Sequence, residues 1–353
     1  MAANITYHDQ TDMDNIRKLR EVLKTLPAFA KDYFRAIEPT TSTKTRISYA
    51  YDIRIFFQFL ISQNPSLAKI GIPNLNVSVL DQLKPIDIEE YMEYLKLYDS
   101  PNDQTTITNG ERGLKRKISS LRSFYTYYYK RQAIETNPVQ LVDMPKIHDK
   151  AIIRLDAGET AALLDYIEHC GDQLTGQRKA YYEKTKLRDL AIVTLLLGTG
   201  IRVSECVGLD VEDIDFRNNG IRLIRKGGSE MVVYFGPEVE KALKDYLEAR
   251  KAISPLEGHE HALFYSTQRK RIGIQAVENL VKKYSKLITT MKNITPHKLR
   301  STYGTSLYRE TGDIYLVADV LGHKDVNTTK KHYAALEDER RRTAPKYIHL
   351  RDE

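Results

Sequence analysis

Two mainly α-helical domains, the second with a small β-sheet, are predicted by three features of the sequence. Apolar residues recur at helical spacing along much of the chain, as in the segment IRKLREVL at residues 16–23. Two short alternating runs flank Gly227 and Gly228, which is typical of a β-hairpin. Two prolines interrupt the helical pattern in TNPVQLVDMPKIHDKAIIR, and this segment is therefore predicted to be an extended linker.

These features divide the chain into a helical domain at 1–140, a linker at 141–153 and a second domain with a C-terminal tail at 154–353. In the first domain, helices are predicted within residues 12–38 and in TRISYAYDIRIFFQFLIS, IDIEEYMEYLKLY and GLKRKISSLRSFYTYYYKRQAI. The stretch 64–83 is predicted to be a loop. In the second domain, the nearly all-apolar segment 186–198 is predicted to be a core helix.

Length and composition are those of a soluble globular protein. The chain has 353 residues, enough for two domains with a buried core each. No apolar run approaches the ~20 residues that span a bilayer, and the N-terminus does not match a signal peptide. Cys170 and Cys206 lie far apart without metal-type spacing, which favours a reducing cytoplasm. The excess of Lys and Arg over Asp and Glu, 54 − 47 = 7, is compatible with nucleic-acid binding without proving it.

Residues suited to phosphate chemistry are concentrated in five short segments of the second domain. In chain order these are GTGIRVSEC with Arg202 and Glu205, IRKGGSE with Lys226, TPHKLRSTYGT with His297 and Arg300, LGHKD with His323, and HYAAL with Tyr333. Guanidinium groups bind phosphate oxygens through paired hydrogen bonds and keep their charge. A tyrosine hydroxyl, with a pKa near ~10, is a poor nucleophile unless such cations surround its target.

The order and spacing of these segments resemble the tyrosine recombinase family, also called the phage-integrase or Xer-type family. The resemblance covers the second domain and, more weakly, the helical domain before it. It implies a SAM-like core-binding domain and a catalytic domain that together form a C-shaped clamp around DNA. It also implies a site-specific DNA recombinase, either Xer-like or a mobile-element integrase or excisionase, that works through a 3′-phosphotyrosyl intermediate.

The resemblance assigns the scissile phosphate to two arginines. Arg202 and Arg300 would bind its non-bridging oxygens as negative charge develops there. Glu205 resembles the acidic residue that orients active-site partners in this family. The ordinary alternative is that Arg202 only forms an ion pair with Glu205 across one helical turn.

The resemblance also assigns the proton transfers and the nucleophile. Lys226 would protonate the departing 5′ oxygen, His297 and His323 would hydrogen-bond the phosphate, and Tyr333 would attack. Alone, each has an ordinary explanation: a hairpin lysine, two histidines at helix ends and a packed tyrosine. Together, their order in the chain favours the catalytic interpretation. Phosphoester energy is conserved in this chemistry, so no metal or other cofactor is implied.

Two helices of the first domain are predicted to face DNA. They supply the following candidate contacts to phosphates and base edges: Lys44, Arg46 and Ser48 from the earlier helix, and Lys115, Arg116, Lys117 and Arg122 from the later one. The assignment rests on the resemblance, and the alternative is a solvated basic face.

The resemblance further implies a tetramer on double-stranded DNA that carries a specific recombination site. A partner recombinase or accessory protein is possible, a membrane is not expected, and the expected location is the nucleoid of a bacterial cytoplasm. The C-terminal tail would dock on a neighbouring subunit or fold back on its own. Two alternatives remain: a type IB topoisomerase-like nicking-closing enzyme and a non-catalytic DNA-binding protein of the same fold.

Overall fold

The computed structural model describes residues 6–99, 105–148, 152–225 and 230–322, and the chain forms two compact units. The first unit spans Met1–Lys150 and the second Ala151–Glu353, so the division falls within the predicted linker. Helices dominate the described part of both units, and the strands described there form one sheet of two and one of three. The predicted fold class, mainly α with a small β-sheet, is confirmed. None of the described helices has the length and apolar character needed to cross a bilayer.

The described part of the first unit consists of helices packed around an aromatic core. Its elements are α1 (Tyr7–Lys24), α2 (Ala30–Ala36), α3 (Thr43–Gln63), α4 (Pro65–Ile70), α5 (Pro85–Lys96), β1 (Leu97–Asp99), β2 (Thr106–Thr108), α6 (Glu111–Lys130) and α7 (Pro138–Leu141). Fully buried rings from α3, α5 and α6 meet edge to face, as Phe56 does with Tyr91 at a centroid distance of 5.2 Å. This core fixes α3 and α6, which carry the predicted DNA contacts.

Three parts of the first unit differ from the expected secondary structure. The predicted loop at 64–83 begins with α4, because Asn64 accepts hydrogen bonds from the amides of Ser66 and Leu67 and caps the helix. Strand β1 takes the place of the end of the predicted helix IDIEEYMEYLKLY and pairs with β2, in a region where no strand was predicted. Val142, inside the predicted linker, is buried in the core of the first unit.

The second unit is built around one long helix. Its described elements are α8 (Ala157–His169), α9 (Gly176–Thr199), α10 (Val203–Gly208), β3 (Ile214–Asp215), β4 (Gly220–Ile224), β5 (Glu230–Tyr234), α11 (Pro237–Arg250), α12 (Ile274–Ile288), α13 (Pro296–Thr311) and α14 (Ile314–Leu321). Helix α9 packs against α8, α11 and α13, and its segment 191–196 is buried, as the apolar run predicts. The hairpin is confirmed: β4 pairs with β5 in antiparallel register, with Ile224 opposite Glu230.

Three described helices of this unit, α9, α13 and α14, end at a glycine in the left-handed conformation. Gly200 ends α9 with φ +63°, and Gly322 ends α14 with φ +59°. Glycine adopts this region without the clash that a Cβ would cause. Arg202 follows Gly200 by two residues in the sequence and His323 follows Gly322 directly, so these two helix ends precede predicted catalytic segments.

Candidate active site

Arg202 and Glu205 form a reciprocal pair at the start of α10. Arg202 has extended backbone geometry at the N-cap, and its amide donates to Glu205 Oε2 at 2.7 Å. Its guanidinium Nη1 donates to Glu205 Oε1, also at 2.7 Å. The Glu205 side chain is only 7% exposed, whereas that of Arg202 is 41% exposed. The ion pair of the ordinary explanation therefore exists, and it holds the backbone and the guanidinium of Arg202 while leaving that guanidinium accessible.

Arg300 lies inside the unit and joins the ends of two helices. It stands on α13, which begins with Pro296 at its first position, and only 4% of the residue is exposed. Its Nη1 donates to the carbonyl oxygen of Gly200 and its Nη2 to that of Leu321. The C-terminal ends of α9 and α14 are therefore both connected to one guanidinium.

Three arginines donate to three consecutive carbonyl groups at the end of α14. Arg225 Nη2 donates to Val320 at 3.1 Å, Arg300 donates to Leu321, and Arg202 Nη2 donates to Gly322 at 3.4 Å. The last carbonyls of a helix lack intrahelical partners and carry partial negative charge, so cations are stabilised there. We call Arg202, Arg225 and Arg300 the arginine cluster.

Arg225 was not among the residues singled out from the sequence. Its side chain is 12% exposed, its Nε lies 3.8 Å from Glu205 Oε1, and burial lowers its pKa while Glu205 opposes that shift. Strand periodicity could have found it, because Ile221 and Leu223 are buried and Arg225 continues their alternation at the end of β4.

The remaining predicted catalytic residues are only partly covered by the structure. His297 is exposed on the first turn of α13, one turn before Arg300, and its carbonyl accepts a hydrogen bond from Ser301 Oγ. Lys226, His323 and Tyr333 lie outside the described residues. The structure thus brings together Arg202, Glu205 and Arg300, with His297 on the helix that carries Arg300; the catalytic roles stay predictions.

One described tyrosine lies beside the arginine cluster. A Cβ built on Gly200 would lie 2.4 Å from Cδ1 of Tyr303, so this ring packs directly against the glycine. Burial raises the pKa of Tyr303, which keeps its phenol neutral and poorly nucleophilic. The raised pKa therefore disfavours Tyr303 as a nucleophile.

The predicted DNA contacts on α3 have different environments. Lys44 is exposed, and Ser48 is half-buried with its Oγ donating to the Lys44 carbonyl. Arg46 is buried, with 9% of its side chain exposed, and its Nη1 donates to Glu38 at 2.9 Å. Only Lys44 of these three presents an exposed cation.

The predicted contacts on α6 also have partners within the first unit. Arg116 donates through both Nη atoms to the buried carboxylate of Asp52 and is half-exposed. Lys117 is buried, and its Nζ donates to Asn109 Oδ1 at 3.0 Å.

Arg122 and Lys115 complete this set. Arg122 Nη2 donates to the carbonyls of Val139 and Val142, at 3.2 and 2.8 Å. Lys115 is half-buried, and its carbonyl accepts from Ser119. The arginine therefore holds the segment after α7 to the helix that carries it.

Metal-binding side chains do not gather within the part of the chain that the structure describes. There, no group of three or more His, Cys, Asp or Glu residues has the geometry to hold an ion. Cys170 and Cys206 are free thiols, both buried, and burial raises the pKa of Cys206 to about 12. A thiol with such a pKa is inert at neutral pH.

Comparison with known proteins identifies the family. The phage integrase family model matches residues 154–340, more than half of the chain. Tyrosine recombinase XerC of Caldanaerobacter subterraneus subsp. tengcongensis is 32% identical over 337 residues, covering 92% of this chain and 87% of the relative. Tyrosine recombinase XerS of Streptococcus equi subsp. zooepidemicus is 30% identical over 352 residues, covering 94% and 98%.

Solved structures support the same fold. XerH site-specific recombinase bound to palindromic difH substrate, in a post-cleavage complex, matches 87% of this chain and 79% of its own, with a TM-score of 0.61 and 18% identity. The Tn1549 transposon integrase in complex with transposon right end DNA matches 87% of this chain and 97% of its own, with a TM-score of 0.61 and 22% identity. The chain therefore belongs to the phage integrase family of tyrosine recombinases. The predicted enzyme class, a site-specific DNA recombinase, is confirmed by this membership.

Proposed function

We propose that this recombinase cleaves and rejoins double-stranded DNA at a specific site, with Tyr333 as the nucleophile. The observation that carries the proposal is the convergence of Arg202 and Arg300. They come from separate helices, yet they donate to the adjacent carbonyls of Gly322 and Leu321. Those carbonyls immediately precede His323 in the sequence, so the two guanidiniums lie where the predicted segment LGHKD begins.

The two arginines would stabilise the charge that develops on the scissile phosphate. A guanidinium has five N–H donors, so Arg202 retains donors beyond those directed to Glu205 and Gly322. Its accessible side chain supports direct contact with a non-bridging oxygen. A preorganised stabiliser of this kind contributes roughly 3 kcal/mol to transition-state stabilisation.

The bond changes are balanced without a cofactor. The Tyr333 hydroxyl gives its proton to one of the two histidines, His297 or His323, as its oxygen bonds to phosphorus; the bond from phosphorus to the 5′ oxygen breaks, and Lys226 gives its proton to that oxygen. His297 and His323 hydrogen-bond the phosphate. Attack of a 5′ hydroxyl on the phosphotyrosyl bond then rejoins the strand and returns the tyrosine.

Binding to duplex DNA is proposed to involve α3 and α6 of the first unit in addition to the catalytic unit. Lys44 is exposed and Arg116 is half-exposed, which suits contact with phosphates. Since the match to XerS covers nearly the whole length of both chains, an Xer-like role on a bacterial nucleoid is favoured. Assembly into a tetramer on two DNA sites, and any accessory partner, belong to the same proposal.

A nicked suicide duplex tests the nucleophile. Its site is first recovered by selecting bound sequences from a genomic fragment library. The unmodified protein should trap a covalent protein–DNA adduct, Tyr333→Phe should trap none, and Tyr303→Phe, the matched control beside the arginine cluster, should still react. An adduct formed by Tyr333→Phe would show that another residue attacks.

A plasmid assay separates recombination from topoisomerase activity. A recombinase should exchange strands only between molecules that carry its site. A type IB topoisomerase-like enzyme should relax supercoiled plasmid that lacks the site. A protein that binds the site without forming any adduct would instead be a non-catalytic DNA-binding member of the fold.

A further inference from the structure

Arg225 connects two parts of the site that are far apart in sequence. It follows β4, its Nη2 donates to the Val320 carbonyl at 3.1 Å, and its Nε lies 3.8 Å from Glu205 Oε1. We propose that Arg225 is a positioning residue for DNA cleavage: it fixes the end of α14 and the Glu205 carboxylate, and through them the guanidiniums of Arg202 and Arg300. The inference rests on the proposed function and names a residue for which that function gave no role.

The contacts of Glu205 explain how Arg225 acts on Arg202. Glu205 is buried and its Oε1 faces both arginines, at 2.7 Å from Arg202 and 3.8 Å from Arg225. A buried carboxylate is stabilised by nearby cations. Removal of Arg225 would leave Glu205 with fewer cations around it, and Arg202 would be drawn more closely to the carboxylate and away from a phosphate.

The contacts of α14 explain how Arg225 acts on Arg300. Val320 and Leu321 are consecutive, and their carbonyls accept from Arg225 and Arg300 respectively. A helix end held by several donors moves less than one held by fewer, because unpaired terminal carbonyls fray. Arg225 therefore restricts the acceptor that sets the direction of the Arg300 side chain.

Gly322 is shaped to allow this contact. A Cβ on Gly322 would lie 1.3 Å from Nη1 of Arg225, so the guanidinium lies in the space that any other residue would fill. The positive φ of Gly322 also favours glycine. The backbone at Gly322 therefore allows Arg225 to approach closely.

Single-turnover cleavage of the suicide duplex tests the proposal. Arg225→Ala should slow adduct formation by about 100-fold, the size expected when catalytic groups are displaced by about an ångström, while the Kd for the duplex changes by less than about 3-fold. Arg225→Lys keeps the charge without the planar fork, so its cleavage rate should lie between those of the unmodified protein and Arg225→Ala. The matched control is Arg222→Ala on β4, three residues before Arg225; the Arg222 side chain is 55% exposed and pairs with Asp213, and this variant should cleave at nearly the unmodified rate.

A neutral scissile phosphate separates positioning from general support of the fold. Replacing one non-bridging oxygen by methyl removes the charge that the arginines stabilise. The defect of Arg225→Ala, relative to the unmodified protein, should therefore shrink by about 10-fold on the methylphosphonate duplex. A purely structural defect would be equal on both substrates, and that equality would overturn the proposal.

Gly322→Ala provides a second route to the same displacement. Its methyl group would push Arg225 aside, so cleavage should slow, whereas adding Gly322→Ala to Arg225→Ala should cost only the strain of an alanine at positive φ, because the clash with Arg225 is already absent. Additive losses would contradict the proposed contact. If the unmodified protein traps no adduct, the proposed function itself fails; if it does and Arg225→Ala matches Arg222→Ala, only the positioning role fails.

Discussion

The arginine cluster of the second unit and two arginines of the first unit, Arg46 and Arg116, are held by different kinds of acceptor. In the second unit, the arginine cluster donates to backbone carbonyls at helix ends, and two of its members, Arg202 and Arg225, also face the carboxylate of Glu205. In the first unit, Arg46 and Arg116 instead donate to the carboxylates of Glu38 and Asp52.

This difference has an electrostatic consequence. A carboxylate neutralises the arginine that it binds, whereas a carbonyl dipole orients a guanidinium and leaves its full charge. Three arginines beside two carboxylates, Glu205 and Asp319, leave net positive charge in a partly desolvated place, where it interacts strongly with a phosphate. The first unit uses comparable residues mainly to hold its helices together.

Arg300→Lys should produce the largest effect on activity. A lysine cannot hold the carbonyls of Gly200 and Leu321 and also face a phosphate, because it has one charged nitrogen in place of a planar fork. Suicide-duplex cleavage should fall by roughly 100-fold or more. Arg188→Lys, a buried arginine that donates to Asp189 and the Tyr265 carbonyl, is the control. If both variants cleave equally well, Arg300 and its contacts with Gly200 and Leu321 have no special role in cleavage.

Asp52→Asn should affect stability more than catalysis. Only 2% of the Asp52 side chain is exposed, and it faces Arg116 and, at 3.9 Å, the buried Lys117. Removing its charge should lower the opening free energy of α3 and α6 by about 3 kcal/mol, measured by amide hydrogen exchange. Asp32→Asn breaks an exposed ion pair with Arg35 and should change this opening free energy by less than about 1 kcal/mol. Equal effects would mean that the Asp52 pair is not structural.

Lys44→Ala and Arg46→Ala should have smaller and contrasting effects on DNA binding. Lys44 is exposed, so its loss should reduce the slope of log K against log salt by about 1. Arg46 is buried against Glu38, so its loss should leave the slope unchanged. Fluorescence anisotropy at several salt concentrations measures both. A reduced slope for Arg46→Ala would support the original assignment of Arg46 as a DNA contact.

Local sequence patterns were sufficient for much of this structure. The long helices and the β4–β5 hairpin follow from periodicity and from glycines at the turn. Arg202 and Arg300 were found because each lies in a short motif with a recognisable order. What those motifs could not supply is the acceptor that each arginine uses, since Gly200, Leu321 and Gly322 offer only backbone atoms.

The missed features depend on contacts between distant segments. Whether a lysine or arginine of α6 is exposed depends on Asp52 of α3 and on Asn109. Arg225 becomes notable only when β4 is set against α14. Helix α4 is the exception, because Asn64 followed by Pro65 is a local capping signal that the irregular composition of the stretch concealed.

The carbonyl acceptors at the end of α14 also bear on how this site could change over evolutionary time. Every residue has a main-chain carbonyl, so substitutions at Val320 or Leu321 that preserve the helix would leave the acceptors in place. Gly322 has no such freedom, because any side chain would meet Arg225. Substitutions at position 322 should therefore occur together with substitutions at position 225. Substitutions at positions 320 and 321 should occur independently of the arginines that bind their carbonyls.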